Sequence, residues 1–322
     1  MAGKFLTIFL LLTLSLGGGY LCRKLRLAGD RAAGWLMTAV AVLGYPIVNL
    51  LAIWDTPLHA ADLWLPGLSV AQIFLLTVAG LALGKMLTAD RGERGLFAIN
   101  AAFGNHGLTM GGFVVFLLFG EQALGLASIY FMLFTPVTVL LAYPLARHYA
   151  TDKPSGSLAR LLLRSLFDWR SIGLPISVVA ILLSPSVLAV PRPAFVKDFN
   201  LVDKLVYVIN VAAYFGIGLQ LRMSYVPALK KLIAGLFFTR YIVGAATGAG
   251  LLALTMLTPW PVYWNSLGGK VVLIQSFTST AVAGVAVASM FNLKPREASV
   301  LFVTNTLSYL ILVLPIVLWI YR

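Results

Sequence analysis

Charge is what this sequence has least of. Asp, Glu, Lys and Arg make up 11% of its 322 residues, against roughly 25% in soluble domains. So few ions exclude an ordinary water-soluble domain. The eleven acids (Asp30, Asp55, Asp62, Asp90, Glu93, Glu121, Asp152, Asp168, Asp198, Asp203 and Glu297) all lie between apolar runs or at their ends. That leaves no carboxylate at the centre of a run, where pumps and cation-coupled carriers usually keep one for a proton or sodium ion. Backbone carbonyls and Asn or Thr oxygens remain as alternative sodium ligands. Cys22 is the single cysteine, so neither a disulfide nor a multi-thiolate metal site forms within the chain. His-Glu-x-x-His and clustered carboxylates are also missing, which argues against metalloproteases and magnesium-dependent transferases. No metal, cofactor or catalytic activity is expected. A sensor role is disfavoured too, because no soluble domain is there to pass on a signal.

What is present is apolar surface. Hydrophobic residues reach 60% and the mean hydropathy is +0.92. At roughly 20 apolar residues per membrane span, the length suits about ten spans. Apolar runs lie at 5–20, 33–53, 65–86, 95–119, 123–146, 172–190, 201–221, 232–254, 267–290 and 298–320. The first could pass for a signal peptide. It lacks a small-residue cleavage site, and Arg23, Lys24 and Arg26 follow it at once, as after a first membrane helix.

The net charge of +13 would point to nucleic acid in a soluble protein. Here the cations mark topology and lipid headgroup contacts. Arg23, Lys24, Arg26 and Arg31 fall in the first connection, and Lys85, Arg91 and Arg94 in or beside the third. Arg147, Lys153, Arg160, Arg164 and Arg170 lie in the fifth, Arg222, Lys230 and Lys231 in the seventh, Lys294 and Arg296 in the ninth. The second, fourth and eighth connections carry none. The sixth, with Arg192, Lys197 and Lys204, is a weak exception partly balanced by Asp198 and Asp203. Odd connections are therefore expected to be cytoplasmic, with both termini outside.

Five spans per half is the informative number. An odd count inserts the second half upside down, the precondition for inverted repeats with a site near the midplane. The expected fold is all-α, with ten transmembrane helices as two inverted five-helix repeats (1–150 and 171–322). A cytoplasmic linker, 151–170, joins them as an amphipathic stretch on the inner leaflet.

Both fourth spans are interrupted. The first half carries Gly104-Asn105-His106-Gly107-Leu108-Thr109-Met110-Gly111-Gly112 and the second Gln275-Ser276-Phe277-Thr278-Ser279-Thr280. Glycine costs about 1 kcal/mol relative to Ala in a helix interior, and hydrocarbon cannot satisfy Asn, His or Thr. Small residues and hydroxyls also serve plain helix packing, but paired interruptions at corresponding positions point to broken helices and a binding site.

From Phe103 to Gly112, followed by Phe119-Gly120-Glu121-Gln122-Ala123, the chain resembles the auxin efflux carrier family. Arg240 inside the eighth span, the polar ninth span and a Thr/Ser-rich tenth helix with Pro315 agree with it. The resemblance implies the fold of the bile acid/sodium symporters, with a scaffold of helices one, two, six and seven beside a moving domain of the rest. It implies efflux or exchange of small organic anions, in bacteria mostly carboxylates, across the inner membrane, with both termini periplasmic. A homodimer through the scaffold is compatible with it. The family's crossing helices break at prolines; the matching positions here are Gly111 or Gly112, and Thr278 or Ser279.

The candidate substrate-binding residues are Asn105, His106, Thr109, Arg240, Gln275, Ser276, Thr278 and Ser279. Arg240, about eight residues into its span and so roughly 12 Å deep, either meets an anion or binds helix-end carbonyls. His106 is the intramembrane group whose ordinary titration range lies near neutrality, and carries the proton if transport is proton-coupled. Lys270 is expected to snorkel to the outer interface. Asn49, Asn210 and Asn305 read as interhelical glue. The substrate and the lipid bilayer are the expected partners, with a proton or sodium as coupling ion and no nucleic acid. The alternative is a sodium-coupled symporter of the bile-acid type.

Overall fold

The computed structural model describes residues 2–150, 157, 159, 160, 163, 172–220 and 223–321. Among them every regular element is helical, apart from a single-residue bridge between Gly104 and Thr280. In chain order the helices are α1 Ala2–Lys24, α2 Arg31–Trp54, α3 Ala60–Leu87, α4 Arg91–Ala102, α5 Gly111–Phe119 and α6 Glu121–Tyr149. Then come α7 Gly173–Leu183, α8 Leu201–Gly218, α9 Val226–Thr255, α10 Leu267–Ser276, α11 Val282–Met290 and α12 Pro295–Ile320. Six of these (α2, α3, α6, α8, α9 and α12) are long and apolar enough to cross a membrane. The chain is an all-helical, multi-pass membrane protein.

Several long helices carry a widened turn, and proline explains most of them. The Tyr45 amide bonds to the Val40 carbonyl, that of Tyr143 to Thr138 and that of Leu314 to Tyr309, each one residue further back than in an α-helix. Pro46, Pro144 and Pro315 follow directly, have no N–H to donate, and their rings crowd the preceding turn. A fourth widened turn, Phe238–Val243 in α9, has no proline; it carries Arg240.

Two expectations are corrected here. The run at 172–190 forms only the eleven-residue α7. Pro185 forces Ser184 out of the helical region, to ψ 160°, so the helix stops. The helix that carries Arg240 also begins earlier than the apolar run at 232–254, at Val226, with a tight first turn ahead of Lys230 and Lys231. The expected linker at 151–170 falls almost wholly outside the described residues.

The helices sort into two groups. α1 packs on α8, and α2 on α7 and α8. Backbones approach closely in the first pair: a Cβ on Gly19 would sit 2.1 Å from the Phe215 carbonyl, and one on Gly218 2.1 Å from that of Leu16. Small residues permit this where lipid offers no hydrophobic drive to association. The other group gathers α3 to α6 with α9 to α12, and α2 meets α6 along the seam.

Contacts between the connections also sort into two sets. Arg23 bonds the Leu219 carbonyl, Arg91 that of His148 (2.7 Å), and Lys294 reaches Asp90 (2.9 Å), which joins odd connections to one another. At the other end, Trp54 Nε1 donates to the Val190 carbonyl (2.8 Å), the Leu58 amide to Ser186 Oγ (2.7 Å), and Arg192 pairs with Asp55 and Glu121. Asp90 also caps α4, accepting from the Glu93 amide at 2.8 Å. Partial burial opposes its charge, but that amide and Lys294 outweigh it and hold its carboxyl below the usual range.

Candidate functional site

α4 and α5 are separated by a short non-helical gap, and so are α10 and α11. The gaps, 103–110 and 277–281, cross each other. The Asn105 amide donates to the Ser279 carbonyl (2.6 Å) and the Ala281 amide to the Phe103 carbonyl (2.8 Å), flanking the Gly104–Thr280 bridge. Each gap thus gives the other the backbone partners its own helix no longer supplies.

The first break lies upstream of the expected Gly111 or Gly112. Those two residues open α5 instead, their amides capped by the carbonyls of Asn105 (2.9 Å), His106 (3.0 Å) and Gly107 (3.0 Å). They are small for a second reason: a Cβ on Gly111 would lie 1.9 Å from Gln275 Oε1. The second break includes Thr278 and Ser279, as expected.

Seven of the eight candidate residues gather at this crossing. Asn105 Oδ1 accepts from Thr109 Oγ1 (2.7 Å), and Gln275 Nε2 donates to the His106 carbonyl (2.9 Å). Arg240, fully buried, donates through Nε to the Thr278 carbonyl (2.9 Å), through Nη1 to the Ala101 carbonyl (3.0 Å) and through Nη2 to Thr278 Oγ1 (3.4 Å). A charge at this depth costs about 2.5–3.5 kcal/mol on insertion scales; helix-end carbonyls offset it here. Ser276 is the exception. Its hydroxyl donates to Leu273 of its own helix (2.6 Å), and its Cβ packs on Gly248 of α9.

Several buried polar atoms at the crossing have no hydrogen-bond partner: both ring nitrogens of His106, Gln275 Oε1 and Ser279 Oγ. The His106 ring stands edge-on to Tyr130 (centroids 5.3 Å apart) and Phe134 (6.1 Å). The Gln275 backbone lies near the ring without meeting hydrogen-bond geometry. His106 Nε2, Arg240 Nη2 and Thr278 Oγ1 converge on Gly104, at 2.5, 2.2 and 2.8 Å from the point where a Cβ would project. Unpartnered atoms buried this deeply are costly, and a ligand would relieve that cost.

Other residues reach the crossing from apolar helices without any local signal. Tyr45 on α2 donates to Thr109 Oγ1 (3.0 Å), and Tyr214 on α8 to the Thr109 carbonyl (2.8 Å), so one threonine is held from the opposite helix group. Gln72 on α3 donates to the Ser276 carbonyl (2.9 Å) at the end of α10. Asn305 on α12 accepts from the Thr280 amide (2.8 Å), and Asn100 on α4 from Thr280 Oγ1 (3.1 Å). Asn305 is thus interhelical glue placed at the break itself. Asn49 likewise accepts from Ser128 (3.0 Å), whereas Asn210 donates to Val206 of its own helix (2.8 Å). Lys270 lies at the α10 end, its ammonium 5.2 Å from the Phe119 ring centroid.

A cavity of about 420 Å³ opens at the end of the odd connections, between Gly34, Gln220, Ser289 and Arg296. Its lining includes Val285, one turn into α11 from the crossing. At the opposite end Arg192 ties α2 to α6, bonding the Leu51 carbonyl (2.9 Å), Asp55 (3.1 Å) and Glu121. A scan against protein-family models finds no match for this chain, and a search of curated proteins finds no significant relative.

Proposed function

We propose that this chain is a secondary carrier of small organic anions, carboxylates first, working by alternating access. In this reading it has ten spans in two inverted five-helix halves, and resembles the auxin efflux carriers. The observation that carries the proposal is the crossing of two broken helices at buried, partly unsatisfied polar groups. Four half-helix ends meet there. The C-termini of α4 and α10 bring about −0.5 of an elementary charge each, and the single guanidinium of Arg240 balances the pair. The N-termini of α11 and of α5, whose first two amides its own loop caps, add up to about +0.5 each, and no acid among the described residues is buried beside them. That remainder favours a monoanion.

The repeat is supported by matching irregularities. Both fourth spans are broken, and both fifth spans (α6 and α12) widen just before a proline. α1, α2, α7 and α8 serve as the scaffold, and the others move with the crossing. The cavity at the positively charged end, cytoplasmic in this reading, gives access from inside, while Arg192 closes the periplasmic side.

The test is thermal stabilisation of the purified protein by acetate, lactate, succinate, benzoate and indole-3-acetate, at about pH 6 and pH 8. A ligand at 100 times its dissociation constant adds about 2.7 kcal/mol, which is readily seen. At least one carboxylate is expected to stabilise the wild type but not Asn105→Ala. Any difference between the two pH values is expected to vanish in His106→Ala. Stabilisation by cations or neutral solutes alone would reject the anion reading.

A further inference from the structure

Arg240 does more than compensate for its own burial. Broken membrane helices leave carbonyl oxygens at their C-terminal ends with no amide to meet them, and cation-coupled carriers use such oxygens to bind sodium. In this crossing the Ala101 carbonyl ends α4 and the Thr278 carbonyl lies just past α10. Both point at one guanidinium, at 3.0 and 2.9 Å, with Thr278 Oγ1 as a third oxygen at 3.4 Å. The guanidinium comes from a different helix, α9, and is fully buried. Gly244 and Gly248 let α9 lie close enough for it to reach, since a Cβ on either would meet Ser276 at 2.4 or 2.3 Å.

We infer that Arg240 is a resident cation: its guanidinium fills an oxygen-lined cation site between the two broken helices. A tethered charge cannot dissociate, so the crossing stays assembled without sodium from solution. Three features carry this. The side chain's partners are all oxygens. They come from both broken spans rather than from a neighbouring acid. Two helix C-termini together present about one negative charge, which a single monovalent cation balances.

Removing the guanidinium should therefore uncover a site for a free monovalent cation. In Arg240→Ala and Arg240→Gln the emptied oxygens are expected to take sodium, lithium or guanidinium, whereas the wild type should ignore them. The experiment compares melting temperatures of the purified full chain in sodium, lithium and choline chloride at matched ionic strength, and with a few millimolar guanidinium. The wild type is expected to melt at one temperature in the three chlorides. Both variants are expected to melt lower in choline, then recover by about 3 °C or more in at least one of the small cations. Arg240→Lys keeps a tethered charge and is expected to stay insensitive to the added ion. Equal melting of the neutral variants in all conditions would overturn the inference. Failure to recover folded protein in every salt would overturn it too, because a vacated cation site predicts rescue. The outcome does not depend on which solute the protein carries.

Discussion

Replacing Gly104 by alanine is expected to destabilise the protein by about 3–5 kcal/mol, the loss that follows breaking a buried charged contact. The added Cβ would lie 2.2 Å from Arg240 Nη2, 2.5 Å from His106 Nε2 and 2.8 Å from Thr278 Oγ1. Far ends of side chains can often give way, but here they have little room. Arg240 is tied to Ala101 and Thr278, and His106 stands against Tyr130 and Phe134. Relief requires either parting the guanidinium from its carbonyls or separating the paired backbones. Thermal unfolding in detergent measures this, with a fall of about 10 °C expected. Gly250→Ala is the control: nothing lies within 4 Å of its added Cβ, and alanine is the better helix former. It is expected to melt at or above the wild type. Equal melting of the two variants would show that the crossing is looser than described.

Arg192→Gln is expected to favour opening at the end opposite the cavity. Arg192 is anchored on α2 through the Leu51 carbonyl and Asp55, and reaches across the seam to Glu121 on α6. Only 7% of its side chain is exposed, so solvent screens the pair less than an ordinary surface bridge. A hydrogen bond to a charged group contributes about 1.5–3 kcal/mol. Losing it shifts a two-state population roughly tenfold to a hundredfold. Ala123, fully buried two residues beyond Glu121, reports the change. In a Cys22→Ser background, maleimide labelling of Ala123→Cys is expected to speed up by that factor when Arg192→Gln is added. An unchanged rate would mean the bridge does not hold this end closed.

Much of this was legible in the sequence. The runs at 33–53, 65–86 and 123–146 became α2, α3 and α6, because length and apolarity alone decide a membrane helix. The interruptions were legible too, since glycine and unsatisfied polar groups are costly inside such a helix. Their boundaries were less so. Gly111 and Gly112 read as a break, yet their own loop caps them, and their size serves the approach of Gln275. The end of α7 was available in Pro185, but an apolar run continuing to Val190 masked it.

The partners of Arg240 were offered only as alternatives, and the structure assigns it to the helix-end carbonyls. Its contacts lie 38 and 139 residues away in the chain, a distance no local pattern spans. The same holds for Tyr45, Tyr214 and Gln72. Each is a lone polar group in an apolar helix, and only packing places it at the breaks. Arg192, part of the weak exception to the charge rule, takes its two acids from other connections, a pairing that no local pattern displays.

The central claim, that the crossing carries anions across the membrane, is tested most directly by exchange in proteoliposomes. Vesicles loaded with one of the stabilising carboxylates are diluted into the same labelled carboxylate, and label accumulation is followed. The account predicts saturable exchange that needs no sodium and falls at least tenfold in Asn105→Ala. Absence of exchange by the wild type for every carboxylate that binds, or exchange that Asn105→Ala leaves intact, would contradict it.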